Sequence, residues 1–470
     1  MKLKNLIAAG DRDMTTGGIT RHLVTFALPL LIGYIFQMLY NTVDTWVVGN
    51  YVSNEAFSAV GTVGPIINML IGFFLGLSSG AGVVISQYYG AKRYDMVKKT
   101  VHTSVIITLV MGVVFTGIGV AFTPLMLKAM NTPAEVVPES TAYLTIYFSG
   151  IIGLMLYNMF SGILRAVGDS TRPFLFLVLS ALLNTGLDLL FVLVFGLGVK
   201  GVAYATIIAQ AISALLLFLT LKRTDSCVKL TAKAFRYNKE VTKMILKVGL
   251  PAALQMAVTS FSNVFVQGYI NHFGADCMGG WTAYGKIDQV ILLPMQSLAL
   301  ASTTFVGQNL GSGLEERAKK GVSVALLASI ASTAVLMAPV ILFAPALTAF
   351  FNDKPEVVAY GTMMLRWISP FYVLCCVNQI FAGALRGSGN SRVPMIIMLS
   401  SFVLFRQVYL FIFANYISYT ELPIILSYPA GWLVCSTVTL IYYKHAGLKN
   451  RLLNVAPQTA EADIPAQMEE

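Results

Sequence analysis

Two carboxylates stand in the middle of stretches otherwise apolar enough to cross a membrane. Asp44 follows Gln37, Tyr40 and Asn41, and Asp188 follows Asn184. Positions 37, 41 and 44 fall on one side of a helix, and 184 and 188 lie one turn apart, so each acid shares a face with amide side chains. Thr206 and Gln210 form a similar pair, and Asn158 stands alone in another apolar stretch. An ionised carboxylate is costly to bury unless a cation, a proton or water compensates it. In the first half of the chain Arg21, Lys92, Lys128, Arg165, Arg172, Lys200 and Lys222 all sit at the ends of apolar stretches, which leaves the acids without a basic partner. Proton loading, cation binding or hydration is therefore expected, with plain polar contact between helices as the alternative.

The elements that must carry these groups are helices in a bilayer. Hydrophobic residues make up 56% of the 470 and charged ones 11%, far from ordinary soluble usage. Apolar stretches long enough to span recur about twelve times. They are read at 23–49, 57–86, 101–125, 138–164, 173–196 and 199–221, then 248–271, 280–307, 321–345, 357–385, 394–417 and 421–443. The second six echo the first. Phe160, Gly162, Leu164, Arg165, Gly168, Ser170 and Pro173 return as Phe381, Gly383, Leu385, Arg386, Gly389, Ser391 and Pro394, and Gln87 and Gly90 as Gln308 and Gly311. Six spans per copy make the copies parallel, so an all-α membrane protein of two six-helix lobes is expected, with pseudo-two-fold symmetry along the membrane normal. The charge chemistry is not repeated, because Asp44 aligns with Val266 and Asp188 with Tyr409.

The expected division is 1–222 for the first lobe, 223–247 for a linker, 248–445 for the second lobe and 446–470 for a disordered tail. The Lys-rich linker reads either as an amphipathic helix lying in the membrane plane or as a solvated connection. Of the 32 basic residues, only Lys128, Lys200, Lys354, Lys286, Arg366 and Arg406 fall away from one face of this topology. Positive charge is retained on the inner side, so both termini are expected in the cytoplasm of a cell-membrane protein. The net charge of +10 then reflects topology and anionic headgroups, and no nucleic-acid partner is implied. The apolar run Leu6 to Ala9 is too short for a cleaved leader. Cys227, Cys277, Cys375, Cys376 and Cys435 show no metal or disulfide spacing, and no phosphate-binding loop or nucleophile–base pair suggests an enzyme.

In the second half, Lys286 and Asp288 are two apart in one span, which places them on different faces, and Arg406 lies within another. These three, with Gln37, Asn41 and Gln255, are candidates for a substrate cleft; Lys286 and Arg406 equally suit structural contacts. Twenty Met and many aromatics fit either adaptable recognition of apolar compounds or ordinary packing.

The repeat and the acid stripe resemble those of the multidrug and toxic compound extrusion family over nearly the whole chain, from Ile19 to Leu448. The likeness rests on Ala27-Leu28-Pro29, Asn41-Thr42-Val43-Asp44, Gln87-Tyr88-Tyr89-Gly90 and Leu164-Arg165-Ala166-Val167-Gly168-Asp169, with its echo Leu385-Arg386-Gly387-Ser388-Gly389. Within that family the chain is similar to the branch related to the DNA-damage-inducible F protein. The resemblance implies a coupling cation, proton or sodium, held by Asp44, Asn184, Asp188 and Thr206, with Tyr40 and Asn158 adjacent. It also implies a first span that changes shape at Pro29 when Asp44 is protonated. Another branch uses a Glu in the seventh span, whereas residues 252–270 here contain no acid. The expected function is a monomeric cation-coupled antiporter that exports amphipathic, aromatic or cationic compounds by alternating access, with no cofactor beyond the ion. The alternative is a flippase for a lipid-linked glycan, holding phosphates with Lys286 and Arg406.

Overall fold

A computed structural model describes residues 10–130 and 132–453, and these are helical with no strand among them. Continuous apolar sequence leaves a helix as the way to satisfy each backbone group internally within lipid. The first copy runs α1 (Ile19–Tyr51), α2 (Asn54–Gly90), α3 (Tyr94–Ala129), α4 (Val137–Ser149), α5 (Ile151–Ala166), α6 (Thr171–Leu189) and α7 (Gly198–Arg223). The second runs α8 (Lys239–Asn271), α9 (Ala275–Gly311), α10 (Glu315–Leu342), α11 (Ala344–Ala349), α12 (Pro355–Ile368), α13 (Tyr372–Gly387), α14 (Arg392–Leu399), α15 (Arg406–Ile412), α16 (Glu421–Ile425) and α17 (Ser427–Ala446). Among the described residues, 11 single or continuous helices can cross a membrane, and α4 with α5 forms one further span bent by 48°. This is the all-α, twelve-span organisation of two topologically parallel copies.

The interruptions are themselves repeated. The fourth span breaks at Gly150, where a Cβ would lie 2.4 Å from the Ile207 Cβ of α7; only glycine permits this approach. At the matching place in the tenth span, the 3₁₀ turn Ser369–Phe371 separates α12 from α13. A π-helical turn, Leu190–Val194, follows α6 immediately after Asp188. Its counterpart Phe413–Ile417 ends the eleventh span, which holds a second π turn at Ser400–Phe405 before Arg406. Such insertions into a helix are frequent at functional positions.

The chain divides into two compact units that do not follow the copy boundary. Unit 1 holds Leu28–Gly82 and Asp95–Val264; unit 2 holds Arg12–Ala27, Val83–Tyr94 and the chain from Phe265 on. The expected cut at the linker is displaced because the start of α8 packs on α2 inside unit 1: a Cβ on Gly76 would meet the Ala253 nitrogen at 2.3 Å, and one on Gly80 the Gly249 Cα at 2.4 Å. Within unit 2, a Cβ on Gly90 would fall 1.9 Å from the Gln308 carbonyl oxygen, and one on Gly311 2.1 Å from that of Gln87. These are repeat-related residues in reciprocal contact, as two-fold related copies require.

One open reading is decided and one expectation needs correction. The linker is not an in-plane helix: beyond Arg223 the backbone is irregular apart from one 3₁₀ turn, Ala232–Ala234, until α8 begins at Lys239. Asn238 starts that helix by accepting the Val241 N–H at 3.0 Å, and Val228 and Leu230 are buried instead of lining an amphipathic face. The tail is ordered as far as Leu453, with the Arg451 N–H donating to the Ser388 carbonyl at 2.9 Å and Asn450 Nδ2 to the Leu310 carbonyl at 3.1 Å. The remainder of the tail lies outside the described residues.

Candidate functional site

Unit 1 brings the two acids together. Asp44 on α1 and Asp188 at the end of α6 are both buried, and their carboxyl groups are close enough to act on one another. No protein N–H or O–H reaches Asp44 Oδ1 or either oxygen of Asp188, and no basic side chain among the described residues forms an ion pair with them. Two carboxylates alone have no donor to share. A proton on one of them would supply that donor.

Tyrosines surround the pair. Tyr143 on α4 lies near both carboxyls and beside Thr206 on α7, whose hydroxyl donates to the Val202 carbonyl at 3.0 Å. Tyr143 stacks on Tyr147, with ring centroids 6.3 Å apart and planes 13° apart. Tyr40 lies near Asp44 and bonds to Gln37. Asn184, one turn before Asp188, is 2% exposed and neither atom of its amide finds a partner. The π turn after Asp188 widens the helix where the acid projects, as an inserted residue does. Five of the six coupling residues expected from sequence thus gather here: Asp44, Asp188, Asn184, Thr206 and Tyr40.

Asn158 behaves differently. Its side-chain amide donates to the Leu154 carbonyl on its own helix at 2.9 Å, and its backbone carbonyl accepts the Ser78 hydroxyl at 2.7 Å. It gives no hydrogen bond to either acid. Arg165, placed by sequence at a span end, turns its guanidinium inward toward Tyr34 and Tyr157, yet stays apart from the acids. Tyr143 was the omission in the sequence reading; its only signal is a hydroxyl one turn from Tyr147 in an apolar span.

The substrate-cleft candidates divide between the units. In unit 1, Gln37 is half-buried, Asn41 is exposed and Gln255 is buried. In unit 2, Lys286 is exposed while Arg406 is 3% exposed, its guanidinium 4.6 Å from the Tyr428 ring centre. Asp288, the acid in the second copy's eighth span, sits in a different setting. It accepts hydrogen bonds from Tyr284, at 3.3 Å, and from Tyr372. Trp281 and Trp432 pack against those two rings at 5.1 and 5.2 Å. Lys286 and Asp288 occupy different faces, as their spacing requires. Unlike the first-copy acids, Asp288 has two neutral donors and is explained by them.

Comparison with known proteins agrees with this architecture. A model of the MatE family matches residues 29–190 and 251–412, once in each copy. The probable multidrug resistance protein YpnP of Bacillus subtilis is 30% identical over 440 residues, covering 93% of this chain and 97% of that protein. A second Bacillus subtilis relative, the probable multidrug resistance protein YoeA, is 29% identical, with 92% and 95% covered. Among solved structures, a MOP superfamily transporter from Pyrococcus furiosus superposes with a TM-score of 0.88 at 24% identity, covering 93% and 98% of the two chains.

Proposed function

The chain belongs to the MatE family, the multidrug and toxic compound extrusion transporters, and from that premise we propose that it is a proton-coupled antiporter exporting amphipathic, aromatic or cationic compounds by alternating access. The observation that carries the coupling is the proximity of Asp44 and Asp188, two buried acids that act on one another and have no basic partner. Such a pair is held together by a proton and driven apart when that proton leaves. Loading from one side of the membrane and release to the other would then bias the helices that carry the acids. Asp44 lies on α1, whose residues before Leu28 belong to unit 2, so a change at the acid pair acts on a helix shared by both units. Pro29, just past that point, lacks the N–H that would stiffen the helix.

The relatives' export roles support a drug-like substrate, and no relative reported above supports the lipid-linked glycan flippase. The distribution of Lys and Arg supports a cell-membrane orientation with both termini in the cytoplasm. Sodium is the competing coupling ion, since carboxylate, hydroxyl and amide oxygens on Asp44, Asp188, Tyr143, Thr206 and Asn184 also suit a hard cation. Efflux of a fluorescent aromatic cation from proteoliposomes decides between them. A pH step alone should drive it and a sodium gradient alone should not; the reverse result assigns the site to sodium, and no response to either gradient refutes coupled antiport.

A further inference from the structure

We propose that the linker between the copies is a fixed docking strap for anionic phospholipid headgroups. The strap is pinned from beneath. Val228 and Leu230 are buried, the Leu230 N–H donates to the Leu221 carbonyl at 2.9 Å, and the Thr231 N–H donates to His102 Nε2 at 3.1 Å. His102 also bonds through Nδ1 to the Lys98 carbonyl at 2.7 Å and meets the Phe235 ring edge-on at 5.0 Å. Ser226 donates to Asp11. These contacts hold the chain where it turns outward, so little conformational freedom remains to be lost on binding.

What the strap presents is cationic and aromatic. Lys229 pairs with Asp225 at 3.5 Å and Lys243 with Glu240 at 3.1 Å. Between these pairs lie Lys233, Arg236 and Lys239, all exposed, interleaved with Phe235 at 39% exposure and Tyr237 at 59%. The strap leaves one membrane-spanning helix, α7, and enters another, α8, so the chain itself holds it at the membrane boundary. Basic residues alternating with amphipathic rings at that level match phosphate headgroups above and acyl chains below. The placement of positive charge during insertion explains the sign of these residues but not their fixation beside two exposed aromatic rings. The inference is independent of what the protein exports.

The test uses the whole protein in neutral detergent, following its thermal midpoint during titration with phosphatidylglycerol or phosphatidylcholine. Phosphatidylglycerol should stabilise the wild type at lower concentration. Each cation removed should weaken that response about fivefold, so K233Q/R236Q/K239Q should bind about a hundredfold more weakly, with its response to phosphatidylcholine unchanged. The charge-preserving K233R/R236K/K239R should behave as wild type, which separates charge from damage to the fold. Equal responses to the two lipids, or an undiminished phosphatidylglycerol preference in K233Q/R236Q/K239Q, would overturn the proposal. Stabilisation by inorganic phosphate or by polyglutamate in place of the lipid would also overturn it, and would assign the strap to a soluble anion or an acidic protein.

Discussion

Replacing Asp188 with Asn separates the chemistry of the acid pair from its packing. The amide has nearly the shape of a protonated carboxyl, and its N–H can donate to Asp44, so D188N imitates the loaded pair permanently. In the wild type, loss of the pair's proton leaves two buried carboxylates near one another with no basic side chain to offset them. Unit charges about 4 Å apart interact by about 4 kcal/mol at an effective dielectric near 20, an upper bound on the relief that the substitution brings. A realised gain of about 1–3 kcal/mol, once relaxation and hydration are allowed for, corresponds to a thermal midpoint raised by a few degrees. That gain belongs to the unloaded pair, so it should be larger at pH 9 than at pH 6. Gradient-driven efflux should fall by about a hundredfold or more, because the site can no longer release its proton. The assays are a thermal melt in detergent at the two pH values and dye efflux from proteoliposomes at matched protein content. Undiminished efflux would refute the coupling role, and a variant less stable than wild type at pH 9 would refute the view that the pair is strained when unloaded.

Three further outcomes follow from other contacts. Tyr143→Phe removes a hydroxyl near both acids while keeping the ring stacked on Tyr147; pH-driven efflux should drop about tenfold with the melting temperature nearly unchanged. Gly90→Ala places a methyl 1.9 Å from the Gln308 carbonyl oxygen, and overpacking of this kind should cost about 1–3 kcal/mol, read as a lower thermal midpoint. Asp169, between α5 and α6, accepts the Thr171 and Arg172 N–H groups and pairs with Arg172 at 3.2 Å, yet burial pushes its carboxyl up to about 6. The folded state therefore binds a proton that the unfolded chain releases near pH 4, so this group makes stability fall as pH rises from about 4 to about 6. Asp169→Asn keeps an acceptor for both N–H groups and should flatten the thermal midpoint across that window.

The parts of this protein that were legible in its sequence are those where a residue contradicts its surroundings. Asp44 and Asp188 are costly in apolar helices wherever those helices pack, so their importance could be inferred before their contact was visible. The repeat was legible for a similar reason: Gln87, Gly90, Gln308 and Gly311 interrupt apolar sequence at equal intervals, and the structure makes them touch reciprocally. Tyr143 was not legible, because a tyrosine in a span is as ordinary in packing as in chemistry until it is seen to lie near two acids. Asp288 could be named from the sequence, but its two tyrosine donors could not, because they come from different helices. The form of the linker stayed open in the sequence because its apolar residues serve two purposes, Val228 and Leu230 being buried while Phe235 is partly exposed. The π turn after Asp188 has no signature, being built from Leu, Phe and Val. Symmetry thus located the scaffold and its violation located the acids. Whether the acids do chemistry depends on a third property, the donors that reach them, which only packing determines: Asp288 accepts two tyrosine hydroxyls and is satisfied in place, whereas Asp44 Oδ1 and both oxygens of Asp188 accept no hydrogen bond.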